Sequence, residues 1–270
     1  MWTGVLIGTM GSISSETWPT IWLILEVNLI SFLPIISIKI QRKKISMIYF
    51  VVQRVGSLAL LASIVSDLRT LTIKWIGIGL ILKACLAPLH FWGPSLVTTM
   101  TQTNLFFFLT WQKIAPLFLI FKCLSKSWLL FIVILNSILS AFCRIGSKNL
   151  SILIFFSRLI HVSWVLSGPV FLATYYYVTY ILMTAPIFFL GWRDYPILFL
   201  NIAGIPPITG FLLKMILLPT IRVALIGILL RTAGIILFAY LRVFIIGKSL
   251  VKMRVSWPTV FTCLIGLVLV

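Results

Sequence analysis

The sequence predicts an all-α polytopic membrane protein of about eleven transmembrane helices, forming a single transmembrane domain over residues 1–270. Three observations predict it. The chain is 61% hydrophobic and only 10% charged, where a soluble domain is nearer half apolar and a quarter charged. Its mean hydropathy is +1.18. Its apolar runs approach the roughly 20 residues that a bilayer-crossing helix needs, with very short polar connections between them. This composition excludes a soluble enzyme, a disordered tail and a disulfide-rich secreted scaffold.

The elements follow in order. The first stretch, 2–13, is short and weak; it lacks a basic start and a small-residue cleavage site, so it is expected to be retained. Further spans are expected at 17–38, 44–66, 72–92, 103–124, 128–146, 149–168, 169–190, 195–220, 222–247 and 257–270. QRKK at 41–44, SDLR at 66–69, GP at 93–94, SKS at 125–127, GSKN at 146–149, GP at 168–169, WRDYP at 192–196 and SWP at 256–258 punctuate them.

Lys and Arg total 22 against 4 Asp and Glu, a net charge of +18. The cations are scattered through apolar runs, with no basic helix or aromatic-basic platform, which argues against nucleic acid. Alternating the connections places Lys39, Arg42, Lys43, Lys44, Arg144, Lys148, Arg193, Lys248, Lys252 and Arg254 on one side. Arg69, Lys74, Lys122, Lys126 and Arg222 fall on the other. The positive-inside rule then puts the N-terminus inside and the C-terminus outside. Cys85, Cys123, Cys143 and Cys263 stand singly, so no zinc or iron–sulfur site is legible and buried free thiols are expected.

The chemistry lies in charges within spans. Glu26 is central in WLILEVNLISFLP, Lys83 in IGIGLILKACLAPLHFW and Lys113 in FFFLTWQKIAPLFLI, while Lys214 follows NIAGIPPITGFLL. His90 and His161 lie within or at the edge of spans. A charge at the bilayer centre costs about 2.5–3.5 kcal/mol on the lenient insertion scale, so such groups face a bundle interior or a hydrated cavity. Snorkelling serves only residues near helix ends. A series of buried Lys, Glu and His suits a proton path, because desolvated groups exchange protons when a counter-charge or water approaches. Helix breaks are expected beside them, at Pro88, at Pro116, and at Gly204, Pro206, Pro207 and Gly210. Proline frees a carbonyl one turn back, and broken backbone at membrane depth survives only where protein or water satisfies it.

KACLAPLHFWGP (83–94), LTWQKIAP (109–116), FSRLIHVSW (156–164) and NIAGIPPITGFLLK (201–214), in this order, resemble the NADH dehydrogenase subunit 2 family of mitochondrial respiratory complex I. WLILEVNLISFLPI (22–35) matches that family's early Glu-bearing helix, so the likeness covers residues 20–214. The resemblance implies an antiporter-like bundle that translocates protons in the mitochondrial inner membrane. It assigns Glu26, Lys83, Lys113, His161, Lys214 and His90 to a proton-transfer axis. It implies no cofactor on this chain; NAD, FMN, iron–sulfur clusters and ubiquinone belong to other subunits. The implied partners are other membrane-arm subunits and phospholipid including cardiolipin, not nucleic acid, and the chain is not a free monomer. The N-terminus would lie in the matrix and the C-terminus in the intermembrane space. Ser95, Ser151, Ile152 and Leu213 depart from the family's usual residues. A stand-alone cation/proton antiporter and a non-conducting structural subunit are the alternative functions.

Arg54, Arg158 and Arg231 are central in their spans, where relatives usually carry small polar residues. The chain also holds 40 Ile against 7 Met in a family that is often Met-rich. Two readings are open. Either arginine stands where a mitochondrial code gives serine, and many Ile where it gives Met; or the arginines are real and pair with carboxylates of neighbouring subunits or with cardiolipin.

Overall fold

A computed structural model describes residues 1–37, 43–65, 69–145, 149–190, 197–205 and 209–250, all helical or turn, with no strand among them. The helices group into two compact units, Met1–Ile132 and Val133–Val270. The first holds α1 (Trp2–Ser14), α2 (Trp18–Ser37), α3 (Lys43–Val65), α4 (Arg69–Ala84), α5 (Gly93–Val97), α6 (Gln102–Leu109) and α7 (Trp111–Cys123). Helix α8 (Lys126–Ile145) runs across the division. The second holds α9 (Leu150–Ser167), α10 (Val170–Leu190), α11 (Ile197–Ala203), α12 (Thr209–Leu217) and α13 (Val223–Leu250).

Helix is the only open-ended structure that satisfies every backbone polar group in hydrocarbon without a neighbour. Among the described residues, seven helical segments are long and apolar enough to cross a membrane. The eleven expected spans differ from these for local reasons. Helix α1 has 13 residues and α4 has 16, both short of a full crossing. The expected span 195–220 is split into α11 and α12, and 257–270 lies outside the described residues. The expected span 72–92 stops at Ala84, because the chain turns at Cys85 with φ +52°.

Close backbone approach positions the first unit. A Cβ on Gly79 of α4 would stand 2.8 Å from the Gly56 carbonyl oxygen of α3, and one on Gly56 would stand 3.2 Å from Lys83 Cγ. Small residues at such crossings let membrane helices pack by van der Waals contact. In the second unit, 78% of the α9 window is buried against 28% of α13, so α9 is central and α13 peripheral. Ser and Thr within these helices return their hydroxyls to carbonyls three or four residues back, as Ser12 does to Thr9 and Thr179 to Tyr175.

Candidate functional site

In the first unit, three helix ends bring charges together. Lys83 occupies the last turn of α4 and is buried, rather than standing mid-helix. A helix C-terminus carries partial negative charge and favours a cation there. Pro88 and His90 lie in the non-helical stretch between α4 and α5, and Ala87–Pro88 is cis. Buried His90 accepts through its carbonyl from Gly93 N–H at 3.0 Å. Lys113, fully enclosed, lies in the first turn of α7. The interruption that precedes it is at Thr110, whose hydroxyl donates to the Phe106 carbonyl at 2.6 Å. The break expected at Pro116 is therefore not there. Pro116 lies inside α7, where its missing N–H removes the helical bond to the Gln112 carbonyl without ending the helix.

Glu26 on α2 is buried and makes an ion pair with Arg54 on α3, its Oε2 lying 3.0 Å from Nη1. The Arg54 side chain is 43% exposed and that of Glu26 only 8%, so the arginine reaches inward from the surface of the unit. Arg54 thus has a carboxylate partner within its own chain. Lys83 lies within electrostatic reach of both members of this pair. Gln53 Nε2 donates to the Lys83 carbonyl at 3.3 Å.

A cavity of about 20 Å³ lies between the lysines, lined by Asn28, Tyr49, Gln53, Lys83, Gln112 and Lys113 among others. That volume accommodates about one water, and the lining offers several polar partners. Asn28 and Gln112 exchange two amide hydrogen bonds, at 3.1 and 3.2 Å. An aromatic cluster borders it, with Tyr49 5.9 Å from Phe32 and 6.2 Å from Phe108 between ring centroids.

In the second unit, the break between α11 and α12 is described at Gly204, Ile205, Thr209 and Gly210; Pro206 and Pro207 lie outside the described residues. Gly204 has φ +78°, a left-handed conformation natural to glycine. A Cβ there would stand 2.8 Å from Lys214 Nζ. Buried Lys214, in the last turn of α12, donates to the Ala203 carbonyl at 2.7 Å, taking up an acceptor that the end of α11 leaves open. Asn201 Oδ1 accepts from the Thr209 hydroxyl at 2.7 Å and from Gly210 N–H at 3.4 Å, capping the start of α12. Gly210 is thus a close-contact position inside α12 rather than the turn itself.

His161 is buried on α9; its Nδ1 lies 2.8 Å from the Tyr176 hydroxyl. The Tyr180 ring packs against the imidazole, 4.2 Å between centroids and tilted by 32°. Arg158 Cζ sits 4.2 Å from the Tyr180 centroid, and Nη1 donates to Thr184 at 3.3 Å. Arg144 Cζ sits 4.2 Å from the Tyr240 centroid, and the Tyr240 hydroxyl donates to Ser157 at 2.7 Å. Arg231 is exposed on α13. The tyrosines and the amides were not singled out from the sequence. Gln112 was within reach, as the neighbour of Lys113 in LTWQKIAP. Tyr176, Tyr177 and Tyr180 are an aromatic run, which looks the same whether it faces lipid or a histidine. Among the cysteines, Cys85 is buried as expected, but Cys143 is exposed and Cys263 lies outside the described residues.

The described residues thus form an all-helical bundle whose interrupted helices carry buried lysines. The solved structures agree on the fold. A chain of respiratory complex I from Thermus thermophilus with bound aureothin superposes with a TM-score of 0.82 at 17% identity, over 98% of this chain and 75% of that one. A chain of the Mrp complex from Dietzia sp. DQ12-45-1b gives 0.76 at 15% identity, over 89% and 58%. No protein-family model matches the chain. In sequence, the chain is similar to NADH-ubiquinone oxidoreductase chain 2 of Locusta migratoria, 26% identical over 95% of this chain and 87% of the relative. The resemblance read from the motifs thus extends over nearly the whole length.

Proposed function

We propose that the chain is a proton-translocating membrane-arm subunit of the NADH:ubiquinone oxidoreductase of the mitochondrial inner membrane. Its partners are the other membrane-arm subunits and phospholipid including cardiolipin, with the N-terminus in the matrix and the C-terminus in the intermembrane space. Redox chemistry with NAD, FMN, iron–sulfur clusters and ubiquinone belongs to other subunits. The observation that carries the reading is the water-sized cavity between Lys83 and Lys113, beside the Glu26–Arg54 pair. Arginine keeps its proton in proteins, so Arg54 supplies a fixed charge, while Glu26, Lys83 and Lys113 are the exchangeable groups. Protonating Glu26 removes a negative charge from the surroundings of Lys83 and lowers its hold on a proton, which moves to Lys113 through a cavity water. His161 and Lys214, with the acceptor carbonyl of Ala203, form the relay of the second unit; His90 stands by the first.

Two measurements test this. Peptides of the chain should run in the large NADH-oxidising band of a native gel; a chain running alone would favour the stand-alone antiporter. In the assembled complex, Lys83→Met and Lys113→Met should each lower the protons released per electron. An assembled complex with unchanged stoichiometry in both variants would leave only the structural role.

A further inference from the structure

We propose that Tyr176 is a positioning residue for His161, its hydroxyl holding the imidazole so that protons enter and leave through Nε2. This rests on the proton-relay reading above. Tyr176 and His161 are both buried, on adjacent helices, with Nδ1 and the hydroxyl oxygen 2.8 Å apart. The Tyr180 ring packs against the same imidazole, tilted by 32° with centroids 4.2 Å apart, and the Tyr176 and Tyr180 rings lie within 12° of parallel. One hydrogen bond and one packed face together prevent the ring from turning over.

The tautomer follows from requiring the bond to persist in both charge states. An imidazolium carries N–H on both nitrogens, so Nδ1 must then donate to the tyrosine oxygen. If Nδ1 keeps that proton when the ring is neutral, nothing on the Tyr176 side rearranges. The lone pair at Nε2 takes one proton and later releases the same proton; the tyrosine O–H is never broken. The other tautomer, with the hydroxyl donating into Nδ1, would need the hydroxyl to turn at every transfer. Lys214, held by the Ala203 carbonyl, is within electrostatic reach of the same imidazole.

The test uses the intact complex in sealed vesicles, with proton release per electron normalised to assembled complex. Tyr176→Phe should slow coupled proton release about tenfold, the scale of one lost hydrogen bond to a charged group. His161→Gln should lose as much, and the double variant no more. Tyr176→Gln, which keeps an acceptor oxygen, should recover most of the loss and serves where Tyr176→Phe fails to assemble. Wild-type pumping in Tyr176→Phe, additive losses in the double variant, or wild-type pumping that survives only without the acceptor would overturn the positioning role. Lys214→Met separates the two readings. If it lowers pumping while Tyr176→Phe does not, the tyrosine inference fails and the relay stands. If neither Lys214→Met nor His161→Gln has an effect, the relay itself fails in this unit.

Discussion

In the unit of residues 1–132, buried cations are met by a carboxylate, paired amides and room for a water. In the unit of residues 133–270, the described residues include no carboxylate. There Arg144 and Arg158 lie on tyrosine faces, and Lys214 donates to a carbonyl at a helix break. Both arrangements offset the cost of charge in hydrocarbon, but they differ in what can move. A carboxylate and a water change protonation and position at low cost. An aromatic face is a fixed dipole that holds a guanidinium without exchanging a proton. The first unit is thus suited to shifting charge, and the second to holding guanidinium charge at defined points, with His161 and Lys214 as its mobile elements.

The largest expected effect comes from the scaffold of the second unit. A side chain at Gly210 would overlap the backbone carbonyl of Asn201, which cannot yield as a flexible side chain would. Gly210→Val should cost at least about 3 kcal/mol, and the chain should be nearly absent from the assembled complex on a native gel. Gly56→Ala in the first unit meets the Gly79 carbonyl oxygen and Lys83 Cγ, each at 3.2 Å, contacts that need give only a few tenths of an ångström, and should reduce the assembled fraction far less. Equal loss in both would mean that the helix break is no more rigid than an ordinary helix crossing.

A smaller effect separates the two lysines. Lys83→Met removes a cation that Glu26 attracts more than Arg54 repels it, whereas Lys214→Met removes one that Arg144 repels. Thermal melting of the complex should therefore fall more in Lys83→Met, by about 1–2 kcal/mol relative to Lys214→Met. If Lys214→Met is the more destabilising, its hydrogen bond to Ala203 outweighs the repulsion, and the second unit is not strained by its cations.

The parts of this contrast that were legible in the sequence are those that hydropathy exposes. A charge inside an apolar run is conspicuous, so Glu26, Lys83, Lys113 and Lys214 were all found. The all-helical membrane fold follows from the same signal. The partners were not legible, because an asparagine, a glutamine or a tyrosine in a membrane helix carries little contrast with its neighbours, and the pairing depends on which faces meet. Break positions were legible only to within a turn. Proline marks where a donor is missing, and the chain chose Thr110 rather than Pro116. Helix length failed as a guide at α1 and α4, where close packing within the unit sustains helices too short to cross alone.

The smallest and most informative effect concerns the arginines. Arg158 is buried, stacked on Tyr180 and bonded to Thr184, so Arg158→Ser removes packing as well as charge beside His161. It should lower the stability of the second unit by about 2 kcal/mol. Arg54 is 43% exposed and one partner of a pair whose other member is nearly enclosed. Little of the Arg54 side chain packs within the unit, and Arg54→Ser should cost only about 1 kcal/mol of stability. Its consequence is electrostatic: Glu26 would lose its fixed counter-charge and face Lys83 alone, strengthening the carboxylate–lysine coupling that the proposed proton transfer uses. Peptide mass spectrometry of the natural chain decides which state exists. Tryptic cleavage after residue 54 and after residue 158 places arginine at both. Read-through as serine at 54 would make Glu26–Lys83 the operative pair, and read-through at 158 would leave the imidazole between tyrosines without a neighbouring guanidinium. The mobile chemistry of the first unit and the fixed cations of the second would then differ less, because one of the two guanidinium groups buried among the second unit's described residues would be gone.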